Sequence, residues 1–147
     1  MSDDRGSRGK APAVTAVLET CLYVDELESA SKFYEELFAW ERMFGDERMR
    51  AYGVAPGSVL LLFRQGATRE AVHVPGGVIP AHDGIGGAHV AFAIAATDWD
   101  AWTERLAERG IRIEHVVNWP RGGRSMYFRD PDQNLVELAT PGLWAVY

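Results

Sequence analysis

Two carboxylates and one imidazole, Glu19, His89 and Glu137, are placed so that β-strands would set them on a common face, and that donor set suits a divalent cation. Glu19 opens ETCLYV and His89 opens HVAFAI about 70 residues later, so the chain states nearly the same motif twice. Glu137 lies in NLVELA, where the second statement ends. Each is a polar side chain in an otherwise apolar strand. Two have a plainer alternative: His89 as a core histidine satisfied by hydrogen bonds, and Glu137 as a solvent-facing glutamate on an edge strand. Against that, two carboxylates buried together would force one to hold its proton, because like charges at close range raise a pKa. A divalent cation removes that penalty.

Two repeated sets of elements must position these groups. LETCLYV alternates, with Leu18, Thr20, Leu22 and Val24 on one side and Glu19, Cys21 and Tyr23 on the other, as a half-buried strand requires. A helix follows in DELESASKFYEELFAW, with Asp25 and Glu28 at capping-box spacing and an apolar stripe of Ala30, Phe33, Tyr34, Leu37 and Phe38. Three strands come next, near 41–44, 48–54 and 58–63, completing a first unit over 16–64. Residues 65–87 are rich in glycine and proline and read as a linker. The second unit, 88–147, repeats the grammar: a strand in AHVAFAI, a helix capped by Thr97 with Asp100 and ended by Gly110, then strands near 112–118, 124–129 and 134–140. Residues 1–15 are small and polar and read as a disordered tail.

Strand parity sorts the side chains onto two faces. Leu22, Val24, Leu60, Leu62, Val90, Phe92, Ile94, Val136 and Leu138 form a uniformly apolar face that should receive the two helices. The opposite face collects Glu19, Cys21, Tyr23, Leu61, Phe63, His89, Ala91, Ala93, Tyr127, Leu135, Glu137 and Ala139. It is small, aromatic and selectively polar, the composition of a pocket lining. Tyr23, Phe63, Trp119, Arg124 and Tyr127 are the candidate substrate contacts; Arg121, Arg124 and Arg129 suit a carboxylate or phosphate, or else form a solvated basic turn. Cys21 reads as a small space-filling group, and His73, His82 and His115 as surface residues. The tryptophans read as helix-to-sheet or interface packing, with Trp119 the one placed to reach a pocket mouth.

Composition bounds the class. The chain has 147 residues, 47% of them apolar and 24% charged, which describes one globular domain with a real core. A formal charge of −6 argues against a general nucleic-acid or anionic-membrane binder. One cysteine makes no intrachain disulfide, and no apolar stretch is long enough to span a bilayer, so the expected location is the cytoplasm.

The runs LYVDELESASKFYEELF and YFRDPDQNLVELATP resemble the opening and closing segments of the vicinal oxygen chelate superfamily, with the likeness extending from about Val17 to Leu143. Glyoxalase I, extradiol dioxygenases, methylmalonyl-CoA epimerase, fosfomycin-resistance transferases and bleomycin-binding proteins belong to it. The resemblance implies an α+β fold: two tandem βαβββ units forming a cup-shaped mixed sheet with the helices outside. It also implies a divalent metal held by Glu19, His89 and Glu137, a small-molecule substrate, and a homodimer, with the site either built within one chain or shared between the opening strand of one chain and the second unit of the other. The sequence departs from its relatives at two points: Glu19 stands where dioxygenases and fosfomycin enzymes carry histidine, and Leu61 where glyoxalase I carries a further glutamate. The remaining His/Glu/Glu set accepts manganese, iron(II), nickel, cobalt or magnesium as well as zinc.

The leading expectation is a glyoxalase-like metalloenzyme of lyase, isomerase or dioxygenase type that acts through two adjacent substrate oxygens. Glu19 and Glu137 are its catalytic candidates, with Glu19 either completing the ligand set or shuttling a proton. A metal-free drug-binding protein of the bleomycin-resistance kind is the alternative, and an accessory module with a decayed site is a third. The aromatic ending PGLWAVY suits packing across a dimer interface.

Overall fold

A computed structural model describes residues 11–147. Residues 1–10, and with them most of the expected tail at 1–15, lie outside that description. The first unit runs β1 (Glu19–Val24), α1 (Leu27–Phe38), β2 (Arg42–Gly45), β3 (Met49–Ala55) and β4 (Ser58–Arg64). The second runs β7 (His89–Ala93), α2 (Trp99–Glu108), β8 (His115–Asn118), β9 (Arg124–Arg129) and β10 (Leu135–Ala139). Between them, the glycine-rich segment forms a small hairpin, β5 (Val72–Val74) with β6 (Gly77–Ile79).

Both units form four-stranded mixed sheets of the same topology, β1-β4-β3-β2 and β7-β10-β9-β8. In each, the opening strand pairs in parallel with the closing strand, and the remaining pairs are antiparallel. The fold is the α+β pair of βαβββ units expected from the resemblance.

The core lies on the apolar parity. Leu22, Leu60, Leu62, Val136 and Leu138 are buried with Tyr34 and Leu37 of α1 and with Trp99 and Leu106 of α2. Tyr34, Phe38 and Trp40 stack beside Phe92 and Trp102, so the two units share one core. Arg105 of α2 adds a direct tie, donating to the carbonyl oxygens of Leu37 and Glu36 at the end of α1.

Helix starts differ from expectation. The first helix is capped at Glu26, without a side-chain bond, rather than at Asp25. The Asp25 amide instead donates to Asp132 Oδ1 at 2.7 Å, and Glu28 pairs with Arg50 at 2.8 Å, so neither closes a capping box. A 3₁₀ turn at Ala96–Asp98 precedes α2, moving its cap from Thr97 to Asp98. The end of α2 follows its glycine: Gly110 takes φ +67°, its amide bonds to Ala107 O, and Ile111 N bonds to Leu106 O. That pair of bonds is a Schellman closure. β8 also starts later than the sequence suggests, at His115 rather than near Arg112, whereas β9 spans the expected Arg124–Arg129 and β10 begins at Leu135, one residue from expectation.

The DPDQN turn before β10 is the most heavily bonded joint in the chain's second half. Asp130, 2% exposed, accepts from Tyr34 Oη, Asp132 N, Asn134 N and Asn134 Nδ2, each at 2.9 Å. Asn134 in turn accepts from Ala88 N at 3.0 Å, just before β7. One buried carboxylate thus fixes the first helix, the turn itself and the start of two strands, one bearing His89 and the other leading to Glu137.

Candidate functional site

Strand register fixes the equivalence of the two halves. Glu19 pairs with Val59, and His89 with Leu135, each at the first position of a parallel ladder. Two residues on, Cys21 pairs with Leu61 while Ala91 pairs with Glu137. Glu19 and His89 are therefore matched positions, and Leu61 stands where the second unit has Glu137.

The second unit brings two candidate donors together. His89 Nε2 lies 3.1 Å from Glu137 Oε1. The imidazole Nδ1 is 2.9 Å from the Leu135 carbonyl oxygen, which only accepts, so Nδ1 carries hydrogen and donates. That bond fixes ring orientation and leaves Nε2 to meet Oε1 through a shared proton or a cation. The Glu137 side chain is 6% exposed and that of His89 48%, so the pair opens to solvent from the histidine side.

Glu19 does not join them within one chain. Among the described residues, no three His, Cys, Asp or Glu side chains cluster closely enough to hold a metal ion. Glu19 instead lines a cavity of about 410 Å³ on the open face of the first unit, with Cys21, Leu61 and Phe63 on the sheet and Ile79 and His82 on the segment folded over it. The hairpin segment is tied down by polar contacts. Tyr23 Oη bonds to Thr68 Oγ1 at 3.0 Å and to His82 Nδ1, while Thr68 Oγ1 donates to the His82 carbonyl at 2.6 Å. His82, read from sequence as an unpartnered surface histidine, is thus a structural partner of Tyr23. Its signal was faint because the residue lies in a glycine-rich connection with no periodicity.

The candidate substrate contacts fall in three places. Tyr23 and Phe63 pack together on the first unit's open face, ring centroids 5.8 Å apart. Tyr127 and Trp119 lie by the His89–Glu137 pair, with the Tyr127 ring 6.3 Å from His89. Burial first and the Glu137 charge second push the Tyr127 hydroxyl above its ordinary pKa. Arg124 is a correction: it shares the parity of Met126 and Phe128, and its guanidinium lies 4.0 Å over the Trp99 ring, toward the helices rather than the open face. Arg129 has the right parity but is bound to Glu114 at 2.8 Å and to the Gln133 carbonyl.

Ser125 beside Glu137 escaped the sequence reading, while His115, read as a surface residue, is exposed on the same face of the sheet. Ser125, fully buried, donates to Glu137 Oε2 at 2.6 Å and accepts from Trp119 Nε1 at 2.9 Å. His115 pairs with Tyr127 in the ladder that also sets Tyr127 against Glu137, so it shares their face. Parity in RSMYFR and HVVN carried both signals, Ser125 being in phase with Tyr127 and His115 opposite it. In Cys21, burial first and the Glu19 charge second raise the thiol pKa, leaving it an unreactive lining group.

The family model described as the Glyoxalase/Bleomycin resistance protein/Dioxygenase superfamily matches residues 16–138. The chain belongs to this superfamily. The superfamily chain is 25% identical over 132 residues to the fosfomycin resistance protein FosX of Listeria innocua serovar 6a, covering 85% of this chain and 89% of that protein. It is similar in structure to lactoylglutathione lyase from Agrobacterium tumefaciens, with a TM-score of 0.82 and 31% identity over 91% of this chain and 99% of that one. The oxidase ChaP-H2 shares the fold alone, at a TM-score of 0.64 and 17% identity over 89% of this chain and 97% of that one. Among the described residues no helix is long and apolar enough to cross a membrane.

Proposed function

We propose that this protein is a glyoxalase-like, divalent-metal-dependent enzyme that acts on a small molecule through two adjacent oxygens, with lyase or isomerase chemistry. The observation that carries this reading is the His89–Glu137 pair: a histidine oriented by its own carbonyl partner and a largely buried carboxylate, converging at 3.1 Å. That donor set fits a divalent cation, and His89 Nε2, Glu137 Oε1 and a carboxylate of Glu19 would hold it. Once bound, the cation would polarise the two substrate oxygens and stabilise negative charge developing between them.

Because Glu19 stands apart from the pair within one chain, the site is shared in a homodimer, with Glu19 supplied by a second copy. Each chain then contributes one half of two cups: the opening strand and cavity from its first unit, the His89–Glu137 pair from its second. Glu19 also serves as the proton-transfer group, taking a proton from the carbon beside one substrate oxygen and returning it to the neighbouring carbon. Phe63 and Leu61 wall the cavity that receives the rest of the substrate, Tyr23 behind Phe63 holds the covering segment through Thr68 and His82, and Tyr127 offers its hydroxyl, kept protonated by burial and the Glu137 charge, as a donor to a substrate oxygen.

The test is complementation of metal binding. Manganese(II) binding followed by electron paramagnetic resonance should give tight sites in the wild-type protein and none in Glu19→Ala or His89→Ala alone. An equimolar mixture refolded together should recover about one quarter of the wild-type sites, since half the dimers are mixed and each mixed dimer has one intact site of two. No recovery overturns the shared site; no manganese binding by the wild type overturns the metalloenzyme reading. Glu19→Gln then separates two roles: retained manganese with lost turnover makes Glu19 the base, and lost manganese makes it a ligand.

A second reading, a metal-free ligand-binding protein, is favoured by one observation. The roomy cavity on the first unit's open face is walled largely by apolar groups and is complete within one chain.

A further inference from the structure

We propose that Ser125, backed by Trp119, is the positioning residue of the site: it engages Oε2 of Glu137 and leaves Oε1 as the one oxygen offered beside His89. The inference rests on the metal reading above for its consequence, that Glu137 would hold a cation through a single oxygen, but not for the contact itself.

The direction of each bond follows from chemistry. An indole N–H only donates, so Ser125 Oγ must accept from Trp119 Nε1 at 2.9 Å. The single hydroxyl proton of Ser125 is then committed to Glu137 Oε2, at 2.6 Å, a length in the range of bonds to a charged oxygen. Ser125 is fully buried, so water does not compete for either bond. On the other side, Oε1 lies 3.1 Å from His89 Nε2, whose own ring is held through Nδ1 by Leu135 O. The carboxylate is thus held by Ser125 at one oxygen and turned to His89 at the other, and the ring facing it is held by Leu135 O at one nitrogen and meets that oxygen with the other.

The assignment goes beyond the donors themselves. Partners that orient a ligand side chain commonly matter about 10–100-fold in metal affinity. Ser125 comes from β9 and Trp119 from the β8–β9 turn, so two segments with no donor of their own set the geometry of a residue on β10.

Two measurements test it. In manganese titrations, Ser125→Ala should weaken binding about 10–100-fold, Ser125→Thr should restore most of the loss, and Trp119→Phe should cost less than Ser125→Ala. A Ser125→Ala affinity within about threefold of wild type overturns the proposal. The second measurement needs no metal: the indole N–H resonance of Trp119 is followed by ¹H–¹⁵N spectroscopy. Glu137→Gln should shift that resonance in the wild-type background and leave it unmoved in Ser125→Ala, because the hydroxyl transmits the change. An equal shift in both backgrounds overturns the proposal whatever the metal does. Absence of manganese binding in the wild type removes the metal reading, while the indole resonance still decides whether Ser125 holds Glu137. Thermal unfolding of each variant separates loss of positioning from loss of fold.

Discussion

Removing the Asp130 carboxylate should destabilise the protein more than its position in a surface-connecting turn suggests. Asp130 accepts four hydrogen bonds while 2% exposed, from Tyr34 Oη, Asp132 N, Asn134 N and Asn134 Nδ2. In Asp130→Ala these donors lose their acceptor in a site where Tyr34 and Asn134 are fully buried. A stranded buried donor costs about 1–3 kcal/mol, and relaxation of the turn lets the more exposed Asp132 amide reach water, so the net loss is about 3–5 kcal/mol. That is a large share of the roughly 5–15 kcal/mol that holds a domain of this size folded. It should lower Tm by about 8–15 °C. Urea unfolding followed by tryptophan fluorescence, with calorimetry alongside, reads both quantities. Asp130→Asn keeps one acceptor oxygen and the side-chain shape, so it should fall between wild type and alanine. A loss below about 1 kcal/mol for Asp130→Ala would refute the reasoning, showing that the turn reorganises freely around the missing group.

Other outcomes follow from the same contacts. Burial first and the Asp130 charge second raise the Tyr34 hydroxyl well above its ordinary pKa, so its contribution to stability is complete below about pH 10 and is lost as pH rises toward the folded value. Urea midpoints measured from pH 9 upward should therefore fall more steeply for wild type than for Tyr34→Phe, and parallel curves would count against it. Burial, with Asp130, Asp25 and Glu26 nearby, raises the Asp132 carboxyl, so its ionised form strains the fold at neutral pH. Asp132→Asn, which keeps an acceptor for the Asp25 amide, should stabilise the protein at pH 7, with the gain shrinking as pH falls through the carboxylate range; a loss at pH 7 would show that the charge is needed. Arg124→Ala should cost about 1 kcal/mol in chemical unfolding through the contact with Trp99 and leave manganese affinity unchanged, and a metal or ligand effect would return Arg124 to the site.

What the sequence made legible was what period two and internal repetition encode. Parity alone separated Leu22, Leu60 and Val136 from Glu19, His89 and Glu137, because a strand buried on one face leaves no freedom to exchange them. The repeat gave the order of elements, and the Asp-Pro-Asp turn marked the joint before β10. Helix starts were less legible. A capping box states what Asp25 and Glu28 can do locally, whereas Asp132 and Arg50, distant in sequence, offered those groups better partners. Arg124 was misplaced although its own parity, shared with Met126 and Phe128, pointed to the helices; charge type outweighed the period. Ser125 was passed over for the converse reason, a small hydroxyl between the bulkier Arg124 and Met126 that matters only because Glu137 lies on the adjacent strand.

The register of the two sheets explains why one chain falls short of a complete donor set. The units are matched strand for strand, yet the first retains a carboxylate at the opening position and an apolar residue at the closing one, while the second retains both polar groups. Leu61 in place of a second Glu137 gives the first unit an apolar floor beside Cys21 and Phe63, suited to holding the body of a substrate. The second unit, with Ser125 behind Glu137 and Leu135 O behind His89, is suited to holding a charge. In the proposed dimer, the apolar-floored cavity of one copy, lined by Glu19, would face the His89–Glu137 pair of another, and each half would supply what the other lacks.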